Sequence, residues 1–165
     1  FNFSLEIFLK IIPLIVFLLF PFYPLILNFW LGNSYSSLIY ELTKIFSISV
    51  IFSCTSHILI TKFEASKTLY KNLKIEFILM PVFLGFLFLL TTGGYSLIQI
   101  SFLILLKEFI LLLVRLNFLR HQISKVYRYY FSAVLFLLLL YLSFYNENLF
   151  YFCLIFLILN LFSKK

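Results

Sequence analysis

The sequence predicts an all-α fold: a polytopic membrane helix bundle of about six transmembrane helices. Three observations carry that expectation. First, 64% of the 165 residues are hydrophobic and only 12% are charged, about half the charged share of a soluble domain. A soluble domain of this size would need far more polar surface. An ordinary globular enzyme, a disordered chain and a nucleic-acid-binding module are therefore excluded. Second, the apolar residues form long runs without the period-2 alternation of a β-barrel, and backbone polar groups in lipid must then be satisfied within helices. Third, a spanning helix needs ~20 apolar residues, so six spans with short connections use nearly the whole length.

The first run covers residues 7–31 and holds Pro13, Pro21 and Pro24, with Asn28 one turn further on. Each internal proline removes a backbone hydrogen bond and favours a kink, which makes the three prolines hinge candidates. Proline is also simply commoner in membrane helices than in soluble ones. A Gly/Asn/Ser turn leads to the second run, 45–60, and a basic loop, 61–74, to the third, 75–90, which contains Pro81 and Gly85. A Thr-Thr-Gly-Gly turn precedes the fourth run, 95–116. A second basic loop precedes the fifth, 131–145, and an Asn-Glu-Asn turn the sixth, 149–162. The last two runs are short for a bilayer and need flanking tyrosines or local thinning. Nearly free of polar side chains, they read as lipid-facing and outside any substrate path. The whole chain, 1–165, reads as a single six-helix lobe. Because it starts at Phe1 rather than Met, it reads as a fragment or as a chain whose N-terminus was removed. The three prolines and the lack of a basic leader argue against a cleavable signal peptide.

The cations orient the spans. Lys62, Lys67, Lys71 and Lys74 follow the second run. Arg120, Lys125 and Arg128 follow the fourth, with Arg115 at its end, and Lys164 and Lys165 end the chain. The opposite turns hold only Lys44, at the edge of a span. Alternate connections are thus basic, which predicts six spans with both termini cytoplasmic. Trp30, Tyr35, Tyr40, Tyr95, Tyr145 and Tyr151 mark one aromatic belt, and Tyr70, Tyr127, Tyr129 and Tyr130 the other. The net charge of +7 is therefore a topology signal and an attraction to anionic membrane lipid, not a sign of nucleic acid.

Lys107 and Glu108 lie near the middle of the fourth run. A charge at that depth costs ~2.5–3.5 kcal/mol on insertion scales, so such residues face a bundle interior or a wet cavity. Consecutive side chains sit ~100° apart on a helix, so these two are expected not to face each other. Lys107 shares a face with Ser96 and Gln99, and Glu108 shares another with Ser101 and Arg115. One stripe reads as lining a substrate path and the other as packing against a neighbour; a buried ion pair with another helix is the bland alternative. Ser49, Ser53, Ser56 and His57 fall on one ~80° stripe. They read either as a close-packing seam of small hydroxyls or as a polar wall. His57 reads as an interface histidine, with a proton relay as the sharper alternative.

No HExxH, Walker A or GxSxG motif and no plausible carboxylate pair occurs. His57 and His121 have no companions at metal-ligand spacing. Cys54 and Cys153 lie inside apolar runs and form neither a disulfide framework nor a CxxC site. Neither an enzyme nor a metal or other cofactor is expected.

The order of motifs carries a family resemblance. Ile12 to Val16 leads to Phe20-Pro21 and then to Trp30-Leu31-Gly32-Asn33-Ser34-Tyr35. A helix, the Lys-rich loop, Thr91-Thr92-Gly93-Gly94-Tyr95-Ser96 and Leu106-Lys107-Glu108 follow. From about Ile12 to Gln122 this resembles the C-terminal half of polysaccharide biosynthesis flippases, the O-antigen and capsule exporters of the multidrug/oligosaccharidyl-lipid/polysaccharide superfamily. It departs from their pattern at Phe63-Glu64-Ala65-Ser66-Lys67, where a glycine usually precedes the basic residue, and at Gly93-Gly94-Tyr95-Ser96.

The resemblance implies one of two helical lobes facing each other across a cavity, with the N-terminal lobe as missing partner. It implies flipping of an undecaprenyl-diphosphate-linked glycan across a bacterial cytoplasmic (inner) membrane, for O-antigen, lipopolysaccharide or capsule. Under it, Lys107 is a candidate cation for the diphosphate, and Arg115 attracts the headgroup near the cytoplasmic mouth. Two other readings stay open: a small integral subunit or assembly factor of a membrane complex, and a membrane enzyme such as a polysaccharide polymerase. The polymerase would call for a long outer loop with Arg or His.

Overall fold

The computed structural model describes residues 4, 7–32, 36–120, 126–146, 150, 151 and 153–155. Among them every regular element is helical. Helix α1 spans Ile12–Leu31, α2 Ser37–Ala65, α3 Leu69–Thr92 and α4 Leu97–Phe118; α5 spans Val126–Tyr145. The first four are each long and apolar enough to cross a membrane, and α5 contributes a shorter apolar stretch, Phe131–Tyr145. The chain is an all-α membrane-type bundle. Most of the sixth predicted span lies outside the described residues, as do Lys125, Lys164 and Lys165.

Proline divides α1. A π-helical turn, Ile7–Ile11, precedes it. An α-helical piece, Ile12–Leu19, then passes through a 3-10 turn, Phe20–Phe22, into a second α-helical piece, Tyr23–Leu31. Pro13, Pro21 and Pro24 each sit in the first two positions of one of these pieces, where a missing N–H costs least. Pro24 cannot donate to the carbonyl of Phe20 four residues back. The N–H of Tyr23 bonds that oxygen instead, and the Tyr40 hydroxyl of α2 also donates to it, at 3.4 Å. A neighbouring helix thus satisfies what the proline leaves open.

The predicted basic loop 61–74 is mostly helix, and this corrects the sequence reading. α2 continues to Ala65, a turn takes up 66–68, and α3 begins at Leu69. Apolar runs report only the hydrocarbon layer. A helix can go on beyond it, where a lysine stem can lie along apolar surface while its charge reaches water. Lys67 adopts φ 53, the left-handed conformation that closes the turn, and the Ser66 and Thr68 hydroxyls bond each other at 2.7 Å. Residues 62, 67, 71 and 74 thereby gather with the C-terminal end of α4 at one end of the bundle, called here the basic end. Lys44, expected at a span edge, lies well inside α2.

α2 is the central helix. Half of its most apolar stretch is buried, against 6% for α3. It packs most extensively on α4; Ile45, Ile48, Phe52 and Leu59 of α2 and Leu105, Leu112 and Leu116 of α4 belong to one buried core, and the Phe52 and Phe109 rings lie 5.7 Å apart. Phe17 of α1 touches Phe20, Phe136 and Phe150 at ring distances of 5.1, 5.9 and 5.7 Å. The expectation that the fifth helix faces lipid is corrected as well: α5 buries Ala133, Phe136, Leu139, Leu140 and Ser143. Helices in lipid associate by close packing, so a shortage of polar side chains does not place a helix outside. The least buried helix is α3, whose buried residues are Asn72 and Ile75.

Candidate functional site: a charged cleft between α2, α3 and α4

Helical spacing brings polar residues of three helices onto one cleft. Ser53, His57 and Ile60 of α2 line it at spacings of four and three. Glu76 and Met80 of α3 line it at a spacing of four, and Lys107, Glu108, Leu111 and Arg115 come from α4. The cleft holds about 260 Å³. From Lys107 to Arg115 it follows α4 for ~12 Å, at 1.5 Å per residue. It therefore reaches from mid-helix towards the basic end.

Arg115 organises that end. Its side chain is only 4% exposed. Nε donates to Asn72 Oδ1 at 2.8 Å, one terminal nitrogen donates to the Ser56 hydroxyl, and the other pairs with Glu76. Asn72 also donates to Glu76, at 3.2 Å. A guanidinium presents several donors in a fixed plane, which suits a group that ties α4 to α2 and α3 at once. Ser56 itself is buried. It stands behind the cleft and not on its wall.

Lys107 and Glu108 bond each other, Nζ to Oε1 at 2.9 Å. The expectation that they face apart is corrected. The backbone directions do differ by ~100°, but both side chains are long enough to turn into the same cleft. They are 22% and 13% exposed, and Lys107 Nζ also lies 5.2 Å from the centre of the Phe83 ring on α3. The two stripes read from the sequence, one through Lys107 and one through Glu108 and Arg115, therefore converge. Two cations and two carboxylates leave the cleft with no net formal charge. Pairing of this kind lowers the cost of ionised groups at membrane depth.

The remaining candidates fall elsewhere. Ser49 is buried in the body of α2, and Asn28 is exposed on the last turn of α1. Ser96 and Gln99 form the capping box of α4: the Gln99 side chain accepts from Ser96 N at 2.9 Å, and Ser96 Oγ accepts from Gln99 N at 3.4 Å. Both are exposed, at the opposite end of α4 from Arg115. Ser101 is buried and donates to the Leu97 carbonyl, at 2.8 Å. Pro13, Pro21 and Pro24 contribute no wall to the cleft.

Sequence reasoning missed Asn72 and Glu76. It also missed Lys44, which is buried, with Nζ 4.1 Å from the centre of the Tyr40 ring and 5.2 Å from that of Phe144. Lys44 also donates to the Ser143 carbonyl, at 3.4 Å. The missing signal for Glu76 was available: an intramembrane arginine needs a carboxylate, and Glu76 is the acid that α3 places at the same end. Among the described residues no three His, Cys, Asp or Glu side chains gather as metal ligands. Comparison with family models, curated proteins and solved structures returns no match to the chain.

Proposed function

We propose that the chain is one lobe of a membrane transporter, and that the cleft between α2, α3 and α4 is a stretch of its substrate path. One observation carries this reading. Four ionised side chains, with Ser53 and His57, are gathered on an open cleft within helices otherwise suited to lipid. Intramembrane charge normally marks a substrate or ion pathway. The motif resemblance specifies the cargo: a lipid-linked oligosaccharide for O-antigen or capsule, flipped across a bacterial inner membrane with the basic end and both termini in the cytoplasm. The role is then transport and not catalysis, and a second, N-terminal lobe completes the path. Arg115 is engaged by three partners, so it serves as a clamp, and recruiting the diphosphate falls to Lys107. To do so Lys107 must exchange Glu108 for the phosphate, a swap of one anionic partner for another.

The test is export of surface glycan in cells carrying the full-length protein. Lys107→Ala is expected to abolish export at normal protein levels, and Lys107→Arg to retain part of it. Normal export by Lys107→Ala would remove Lys107 from the path. The neutral pairing inside the cleft favours a second reading, a packing seam for another membrane subunit. In that case Lys107→Ala lowers the recovery of an assembled complex and leaves glycan unaffected.

A further inference from the structure

The outer side of α3 carries a feature that the transport reading does not use. Leu73, Lys74, Glu76, Phe77 and Met80 line a shallow groove of about 650 Å³ running down the helix from its basic end. Its floor and lower walls are apolar, and Phe77 and Leu73 are strongly exposed. Lys74 stands at its head. One turn closer to the basic end come Tyr70 and Lys71, with Lys71 Nζ 6.0 Å from the centre of the Tyr70 ring. Lys67, exposed, lies in the turn just before the helix. Glu76 is the acid on the groove, and its charge is already met by Arg115.

We propose that this groove is a binding site for an anionic phospholipid of the surrounding membrane. The headgroup phosphate meets Lys74, Lys71 and Lys67, and one acyl chain lies along Leu73, Phe77 and Met80. Charge complementarity selects this occupant: Lys74 lines the groove where its apolar track begins, Lys71 and Lys67 precede it at the same end, and Tyr70 marks the level of the interface. A zwitterionic lipid matches the track equally well but brings no net charge for the lysines. A lysine near an anionic membrane surface contributes ~1 kcal/mol, roughly a fivefold preference. The site lies on the outside of α3. It shares only Glu76 and Met80 with the cleft and does not depend on what the cleft carries.

Trp30 is the single tryptophan, so a reporter can be placed in the groove with Phe77→Trp in a Trp30→Phe background. The full chain is reconstituted in phosphatidylcholine with a small fraction of lipid brominated on its acyl chains, either phosphatidylglycerol or phosphatidylcholine. Brominated phosphatidylglycerol is expected to quench the reporter several-fold more strongly than brominated phosphatidylcholine. Lys74→Gln should remove most of that difference. Lys62→Gln, which removes the same charge from the same end but off the groove, should preserve it. Equal quenching by the two lipids overturns the site. So does a loss in Lys62→Gln as large as in the groove variant, which would mean a diffuse surface potential and not a place.

Discussion

Arg115 reaches two neighbouring helices at once, and the geometry predicts unequal losses around it. Its guanidinium is buried, whereas the Glu76 side chain is 40% exposed. Removing the buried partner strands Ser56 and leaves a carboxylate without its cation, so Arg115→Met is expected to cost about 3 kcal/mol, the lower end for breaking a buried pair. Glu76→Gln keeps an oxygen for Arg115 and Asn72 and leaves Ser56 bonded, but takes the carboxylate from a buried guanidinium; a smaller loss, about 2 kcal/mol, is expected. Unfolding of the purified chain in mixed micelles by added SDS compares the two, and equal losses would contradict the clamp. Lys107 and Glu108 behave differently because they satisfy each other. Either single change to Met leaves one charge unpaired, whereas the double change leaves none. The double variant should be more stable than the two single losses sum to, a coupling that a mutant cycle reads directly. If Lys107 serves transport, that same stable double variant still fails to export.

Residue types and helical period were enough to single out Ser53, His57, Lys107, Glu108 and Arg115, all of which reach the cleft. They were not enough for Asn72, hidden in what looked like a loop, or for the Lys107–Glu108 bond, which depends on side-chain reach and not on backbone direction.

At the scale of the elements, helix ends were the least legible part. Apolar length marks where lipid begins, while the ends are fixed by caps and turns. Ser96 and Gln99 show the difference: their polarity suggested a path, and their spacing of three makes a capping box instead. Ser96→Ala is expected to destabilise α4 by about 1 kcal/mol, with no effect on cleft chemistry. Next to it, Gly93 has an ordinary φ of −77° but no room. A Cβ there would lie 2.7 Å from the Tyr95 ring and 2.9 Å from the Leu89 carbonyl oxygen. The ring can swing aside and the carbonyl cannot, because it is held by the N–H of Gly93 itself, at 2.9 Å. Gly93→Ala should therefore destabilise even when combined with Tyr95→Ala, and thermal unfolding of the pair decides it. Rescue by the second change would place the strain in the ring alone.

For the whole molecule, the bundle class was legible because it follows from composition and run length, quantities that survive any error in register. Which helix lies outermost was not, because in lipid neither hydrophobicity nor polarity distinguishes a packed apolar face from an exposed one. α3 poses that problem most sharply. With 6% of its apolar stretch buried, the protein alone does little to hold it upright, and a helix so exposed has two options: to cross the bilayer or to lie along its surface. Its sequence favours crossing. The apolar residues run all round the helix from Phe77 to Leu90, which leaves no polar face for water. At 24 residues it is ~36 Å long, enough for a ~30 Å hydrocarbon layer. Lysines sit at one end, and the Thr91 and Thr92 hydroxyls bond back to the Phe88 carbonyl at the other. The Arg115 clamp fixes its basic end beside α4. With Cys54 and Cys153 replaced by Ala, a cysteine placed at Lys67 and another at Tyr95 are expected to react with a membrane-impermeant maleimide from opposite faces. In intact cells only the Tyr95 position should be labelled if the basic end is cytoplasmic. Labelling of both positions from one face would lay α3 on the surface and take the cleft, whose third wall it forms, out of the membrane.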